Sequence, residues 1–178
     1  LDMKVMLGIW IDPEERLDAE GRLVETRPEA RAANRREIEA GVRLAAAYPE
    51  IVLSLCVGNE TQVSWSSHRV PPDLLIDYLR EARAQTSVPV STADDFNFWN
   101  KPESASVAAE IDFITMHAHP LWNGRQMEEA LPWLRERSKW LLAVAPSRSR
   151  VTWVSRLRWP GWRLVVVTRS RASAAGMA

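Results

Sequence analysis

Short apolar runs and helical patterns alternate along the first 140 residues of the chain. Each apolar run is rich in β-branched and other hydrophobic residues and has the length of a buried strand. The four runs are Lys4–Ile11, Ile51–Val57, Val88–Thr92 and Ile111–Met116. Apolar positions recur at helical spacing over Pro28–Tyr48, Pro72–Gln85 and Gln126–Leu142. Because parallel strands need a crossover, which is usually a helix, the alternation predicts an α/β fold with a parallel sheet.

Polar and aromatic residues collect where each predicted strand ends. They are Trp10 and Asp12, then Asn59 and Glu60, then Asp94, Asp95 and Asn97, and finally His117 and His119. The carboxyl ends of parallel strands share one edge, where ligands bind in barrels and in open α/β sheets alike. The pattern therefore predicts one site at this edge, without separating a barrel from a doubly wound sheet. No glycine-rich nucleotide-binding motif follows a strand, which disfavours a nucleotide ligand.

The composition is that of one ordinary globular domain. The chain has 178 residues, of which 46% are hydrophobic and 26% charged, and a domain takes about 100 to 200 residues. The single cysteine, Cys56, excludes an internal disulfide and a cysteine-based zinc site, and its apolar surroundings predict a small buried side chain. No apolar run approaches the roughly 20 residues of a membrane span, and no signal-peptide pattern is present.

The second apolar run leads directly into a candidate catalytic acid. It reads IVLSLCV and is followed by Gly58, Asn59 and Glu60. A carboxylic acid on a rigid strand end can protonate the leaving oxygen of a glycosidic bond if burial or a second carboxylate raises its pKa. The neighbouring amide of Asn59 can hold a sugar hydroxyl. We therefore predict Glu60 as a general acid; the alternative is a loop glutamate that pairs with a nearby arginine.

Three segments at the predicted strand ends carry a family resemblance. They are VGNE at 57–60, STADDFNFW at 91–99 and DFITMHAHPLWNG at 112–124. In these segments the chain resembles bacterial members of glycoside hydrolase family 17, which are β-1,3-glucan-active (β/α)8 barrels. The resemblance covers about residues 2–140 and implies a partial (β/α)8 TIM barrel, strands three to six with their helices. It also implies that Glu60 is the general acid/base and that Asn59 contacts the hydroxyl beside the scissile bond.

By this resemblance the protein is a glycoside hydrolase or transglycosylase that acts on β-1,3-glucan with retention of configuration. Retention needs a nucleophilic carboxylate about 5 to 5.5 Å from the acid/base. The family carries this glutamate after strand seven, in a segment like GE-x-GWP. The nearest match here, SRLRWPGW at 155–162, places Arg156 at that position, and no acid follows Glu136. We therefore expect this chain to lack the nucleophile and to be inactive as it stands.

Further residues are predicted to line the sugar-binding cleft. They are Asn59, Trp10, Asp95, Trp99, His119 and Trp122. The tryptophan rings can stack on pyranose rings. His117 and His119 alternate along a strand and are expected to point to opposite faces, so that only one faces the cleft. A pair at i, i+2 without a defined third ligand is weak evidence for a metal site, and we predict neither a metal nor another cofactor. Two rival interpretations are a non-catalytic glucan-binding module, and a metallohydrolase that adds Asp94 or Asp95 to the histidines.

Charge divides the chain near residue 140. Residues 1–136 hold 14 basic and 23 acidic residues, whereas residues 137–178 hold nine basic residues and no acid. We therefore divide the chain into a partial barrel, 1–140, and an arginine- and tryptophan-rich tail, 141–178, which we interpret as disordered or as the product of a shifted reading frame. Arginines among aromatics can bind single-stranded nucleic acid, but these form no helical stripe. The expected partner is a β-glucan rather than a nucleic acid.

Overall fold

The computed structural model describes residues 3–18, 20 and 22–144, together with the strands at 152–153 and 165–168. The elements in chain order are β1 (Val5–Ile9), β2 (Glu15–Leu17), β3 (Leu23–Thr26), α1 (Pro28–Ala47), β4 (Val52–Asn59), α2 (Pro72–Gln85), β5 (Val90–Asp95), α3 (Phe96–Trp99), α4 (Ser104–Ala109), β6 (Phe113–His117), a 3-10 helix (Leu121–Asn123), α5 (Met127–Val144), β7 (Thr152–Trp153) and β8 (Val165–Thr168). No helix among the described residues has both the length and the apolar character of a membrane span.

The centre of the molecule is a parallel sheet whose strands follow chain order. β1 pairs with β4, β4 with β5, and β5 with β6, all in parallel. Helices lie between consecutive strands of this sheet, because parallel strands need a crossover connection. The prediction of an α/β fold with the arrangement of a partial (β/α) barrel is confirmed.

The two faces of this sheet carry different side chains. The face toward the helices carries large, apolar and buried side chains, which are those of Ile9, Leu55, Val57, Val90, Ile114 and Met116. The opposite face lines an open cleft and is built largely from smaller residues, among them Met6, Gly8, Cys56, Ala93 and Thr115. Burial of each large apolar side chain contributes about 1.5 to 3 kcal/mol, so the helix side holds most of the core.

The sheet curves as a barrel wall does. Thr115 Oγ1 on β6 lies 3.8 Å from Met6 Sδ on β1. Two strands separate β1 from β6, so in a flat sheet they would be about 14 Å apart. The contact across the inner face therefore requires strong curvature, which separates a barrel from a doubly wound sheet where the sequence pattern does not.

The helices begin and pack as their sequences predict. α1 and α2 both have proline in the first turn, followed by Glu29 and Asp73, which favour the positive end of the helix dipole. α1 packs closely on the sheet, since a Cβ at Gly41 would lie 2.6 Å from Ile9 Cδ1. On α2 the predicted inward residues Leu75 and Leu79 are fully buried.

Several short elements were not predicted from the sequence. β2 and β3 form an exposed antiparallel hairpin in which Arg16 Nε lies 3.0 Å from Glu25 Oε2. α3 and α4 divide the segment 96–109 into two short helices. Elements of three to six residues are shorter than the window over which hydrophobic periodicity is read.

The tail lies largely outside the described residues, so the prediction that it is disordered or frame-shifted stays a prediction. α5 continues to Val144, four residues past the predicted boundary at 140. In the described part of the tail, β8 pairs antiparallel with β6, with Phe113 opposite Thr168 and Met116 opposite Val165. The edge of β6 is therefore paired.

Candidate active site

The turn after β4 places Glu60 at the carboxyl edge of the sheet. Gly58 has a φ of 80° and Glu60 a φ of 50°, in a region that costs residues other than glycine about 1 to 2 kcal/mol. The backbone N–H of Glu60 donates to the carbonyl of Ala93 at 2.8 Å, which ties the turn to β5. A Cβ at Gly58 would lie 3.2 Å from Leu75 and Thr61. Strained backbone at a potentially reactive residue is typical of functional sites.

The Glu60 carboxylate faces His117 at the end of β6. Glu60 Oε1 lies 2.8 Å from His117 Nδ1. The two side chains are 25% and 22% exposed, respectively. Water competes weakly for partners that are mostly buried, so the contact holds the carboxylate in one orientation.

His119 joins this pair, so the prediction that the two histidines point to opposite faces was wrong. β6 ends at His117, and strand alternation does not extend to residue 119. One ligand atom each from Glu60, His117 and His119 lie within 4.8 Å of one another. The His119 ring stacks on Trp122 with 4.1 Å between centroids and 27° between planes. These three side chains, which we call the Glu60 cluster, form the group that could hold a metal ion among the residues that the structure describes.

The carboxylate of Asp94, at the end of β5, accepts hydrogen bonds from the backbone. It is fully buried, and its carboxylate accepts the N–H groups of Gln62 and Asp95, each at 2.9 Å. Burial raises the pKa of Asp94 to about 6, although the two backbone N–H groups act in the opposite direction. Asp94 therefore fixes the segment that follows Glu60 rather than facing the cleft.

Asp95 caps the short helix α3. Its Oδ1 accepts the backbone N–H of Asn97 at 2.9 Å and the side-chain amide of Asn97 at 2.6 Å. Burial raises the pKa of Asp95, against the two Asn97 hydrogen bonds. With 5% of its surface exposed, this residue has a clear structural role, and its contact with a sugar stays a prediction.

Trp10 and Asn59 lie at neighbouring strand ends and are linked through His68. Trp10 is 47% exposed and donates from Nε1 to Asp12 Oδ1 at 2.9 Å. Its ring lies 4.7 Å from the His68 ring, centroid to centroid, at an angle of 43°. His68 Nε2 lies 2.8 Å from the backbone oxygen of Asn59. The Trp10 face is thus held at the rim with its polar edge satisfied.

A buried network holds the segment that follows Trp10. Asn34 on α1 exchanges two hydrogen bonds with the backbone of Asp12, at 2.8 and 2.9 Å. Glu14 accepts a hydrogen bond from the Tyr78 hydroxyl and another from Arg31 Nε at 2.6 Å. Burial raises the pKa of Tyr78 to about 12, and its bond to Glu14 acts in the same direction. The network therefore keeps the Tyr78 hydroxyl protonated.

The other two predicted tryptophans differ sharply in exposure. Trp122, on the 3-10 helix, is 79% exposed and can present its face to a ligand. Trp99 is fully buried, and its Nε1 donates to the backbone oxygens of Asp94 and Thr115. Its prediction as a sugar platform was wrong, because the short helix α3 turns the ring into the core.

An open cleft of about 300 Å³ runs along the inner face of the sheet up to this edge. Trp10, Asn59 and His117 line its rim, and smaller residues such as Gly8 and Cys56 line it further in. Cys56 is buried as predicted, and burial raises the pKa of its thiol to about 12. The thiol is therefore no nucleophile at neutral pH.

His117 is the residue that sequence reasoning left out of the site. Its Nδ1 lies 2.8 Å from Oε1 of the Glu60 carboxylate. The available signal was its position at the end of an apolar run; the structure then places it opposite Asp95 in the β5–β6 register. Strand alternation predicts that one of the two histidines faces away, and this favours His119 over His117 as the residue in the cleft.

Fold and site together define a curved parallel β/α sheet with a half-buried carboxylate–imidazole pair at its carboxyl edge. No protein-family model matches the chain. A protein of Aspergillus fumigatus, named "Probable glucan endo-1,3-beta-glucosidase", is 23% identical over 168 residues, which are 89% of this chain and 22% of that protein. This chain thus spans about a fifth of the length of that relative.

Solved structures show the same fold. An endo-laminarinase from Formosa superposes with a TM-score of 0.66 at 20% identity, over 80% of this chain and 45% of that one. A glycoside hydrolase family 17 β-1,3-glucanosyltransferase from Rhizomucor miehei superposes with a TM-score of 0.56 at 22% identity, over 80% and 46%. These comparisons confirm the predicted resemblance to glycoside hydrolase family 17, at low identity and over part of each relative's length.

Proposed function

We propose that this chain forms part of the active site of a β-1,3-glucan hydrolase or transglycosylase, with Glu60 as the proton donor. The observation that carries the proposal is the position of Glu60. It lies at the carboxyl edge of a barrel-like sheet, in a left-handed backbone conformation, with its carboxylate 2.8 Å from His117. The names of the similar proteins, which specify 1,3-β-glucan or laminarin, support this substrate class.

In this mechanism Glu60 gives its proton to the glycosidic oxygen as the bond to the sugar breaks. His117 orients the carboxylic acid, and the amide of Asn59 binds a hydroxyl of the sugar. The exposed faces of Trp10 and Trp122 stack on neighbouring pyranose rings, which places the bond to be cleaved at the strand edge.

A retaining reaction also needs a nucleophilic carboxylate. Asp94 does not fit that role, because its carboxylate is fully buried and accepts two backbone N–H groups. The sequence has no acid after Glu136. We therefore expect this chain alone to show no turnover of laminari-oligosaccharides, although the acid half of the mechanism is in place.

An external nucleophile can test the acid half by itself. With phenyl β-laminaribioside and molar azide, the azide attacks the anomeric carbon, and phenol leaves with the proton from Glu60, giving an α-glycosyl azide. We expect azide-dependent phenol release that Glu60→Gln lowers about 100-fold or more, the usual contribution of a general acid. Glu25→Gln, on the exposed hairpin, is the matched control. Equal rescue of both variants would show that Glu60 is not the acid.

The second candidate is a non-catalytic glucan-binding module. The exposure of Trp10 and Trp122, 47% and 79%, favours it, because both rings are open to a sugar. Titration calorimetry with laminaritetraose separates the two functions. Binding that Trp10→Ala and Trp122→Ala weaken, together with no azide rescue, would support the binding module instead.

A further inference from the structure

We propose that the Glu60 cluster is a binding site for a divalent transition-metal ion of the zinc type, and that the bound ion blocks Glu60 as a proton donor. The cluster consists of Glu60, His117 and His119. Metal binding is independent of the function proposed above, whereas the inhibition rests on it.

The geometry suits one small ion. The three ligand atoms lie within 4.8 Å of one another, and the closest pair, Glu60 Oε1 and His117 Nδ1, is 2.8 Å apart. Zinc binds imidazole nitrogen and carboxylate oxygen at about 2.0 to 2.2 Å. Ligand atoms around such an ion are therefore roughly 3 to 3.5 Å apart. Movements of about an ångström or less in each side chain bring the cluster to this spacing, within the reach of side-chain torsions.

The donor set selects the class of metal. Two imidazole nitrogens and one carboxylate oxygen are the protein ligands of many catalytic zinc sites, in which a water takes the fourth position. Magnesium and calcium prefer sites made of oxygen ligands. With 22% and 25% of the His117 and Glu60 side chains exposed, the site has access to solvent for that water.

The surrounding structure holds the ligands in place before an ion binds. The Glu60 backbone is tied to Ala93, the His119 ring rests on Trp122, and His117 ends a strand in the centre of the sheet. Fewer side-chain rotations are lost on binding when ligands are already ordered. Asp94 and Asp95 on the neighbouring strand interact electrostatically with members of the cluster and add negative potential when ionised.

An ion in this site and a proton on Glu60 exclude each other. A carboxylate must be deprotonated to act as a ligand, so a zinc-bound Glu60 has no proton to give. When zinc is bound, Glu60 would no longer act as a proton donor, although the fold of the chain would not change.

Titration calorimetry of the full chain with zinc chloride tests the binding. We expect one ion per chain and an affinity that falls about 100-fold or more in His119→Phe, since the loss of even an outer partner of a metal ligand costs 10- to 100-fold. Phenylalanine keeps the ring that stacks on Trp122 and removes the nitrogen. The variants His117→Ala and Glu60→Gln should lower the affinity for zinc to a similar extent. Far-UV circular dichroism of each variant confirms that it is folded.

His68→Phe is the matched control, because residue 68 is the only other histidine in the sequence and is held by Asn59 and Trp10 outside the cluster. We expect His68→Phe to bind zinc with the affinity of the unchanged chain. We expect magnesium to bind neither the unchanged chain nor this variant. Unchanged affinity in folded His119→Phe, an equal loss in His68→Phe, or no binding below millimolar zinc would each overturn the site. Zinc that stays bound at the cluster in molar azide but leaves the azide-rescued reaction unchanged would overturn the inhibition alone, because Glu60→Gln tests the role of Glu60 separately.

Discussion

The carboxylates at the ends of β4 and β5 show how similar sequence signals take different roles. Glu60 follows an apolar strand, as do Asp94 and Asp95. The Glu60 side chain meets an imidazole at 2.8 Å and remains 25% exposed. The Asp94 carboxylate is fully buried and accepts two backbone N–H groups. The carboxylate after β4 is therefore available to react, whereas the buried carboxylate at the end of β5 stabilises the turn that holds Glu60.

The support is direct. Asp94 accepts the N–H of Gln62, two residues after Glu60, while the N–H of Glu60 itself donates to Ala93 on the same strand as Asp94. Both bonds tie the left-handed turn to β5. The backbone strain at Glu60 is thus balanced by two hydrogen bonds to β5, one accepted by the Ala93 carbonyl and one by the Asp94 carboxylate, which does not itself reach the cleft.

Removal of the supporting carboxylate should have the largest effect on stability. Asp94→Ala leaves two backbone N–H groups without their acceptor, at a cost of about 1 to 3 kcal/mol each. We expect the free energy of unfolding, measured in urea, to fall by about 2 to 6 kcal/mol. Asp112→Ala is the comparison, because the Asp112 carboxylate is half-buried, pairs with Arg83 and accepts only one backbone N–H, that of Val90, each at 2.8 Å. A larger loss there would contradict the assignment of Asp94 as the main support.

The two strand ends should also differ in their response to pH. Burial raises the pKa of Asp94 from 3.8 to about 6, so between these values the folded chain keeps a proton that the unfolded chain has released. The free energy of unfolding should therefore fall as the pH rises from about 4 to about 6. Asp94→Asn, which stays uncharged, removes this part of the slope in urea titrations across that range. An unchanged slope in the variant would assign the effect to other groups.

Substitutions at the two residues with positive φ in the turn after β4, Gly58 and Glu60, should have the smallest effects on stability. Gly58→Ala forces a side chain into a φ of 80°, 3.2 Å from Leu75, and should cost about 1 to 2 kcal/mol or more. Glu60→Asn should instead raise the stability slightly, because asparagine tolerates the left-handed region better than glutamate. Thermal unfolding of both variants checks the opposite signs. A destabilised Glu60→Asn would mean that the contact with His117 outweighs the strain.

Much of the site could be predicted because it follows from strand ends. The apolar run before Gly58 predicted where Glu60 and Asn59 lie, since the carboxyl ends of parallel strands share one edge. The burial of Trp99 could not be predicted, because a four-residue helix decides where its ring points. The same holds for His119, which lies beyond the last residue of β6.

The amino-acid sequence determined by itself the alternation of strands and helices, the edge at which polar chemistry collects and the carboxylic acid that stands there. These properties depend on residues close together in the chain, through periodicity and propensity. The tertiary structure decided which side chains meet: Glu60 with His117, Asp94 with the turn and Trp99 with the core. Such contacts depend on the curvature of the sheet and on where each strand stops, and both arise only when distant segments pack against one another.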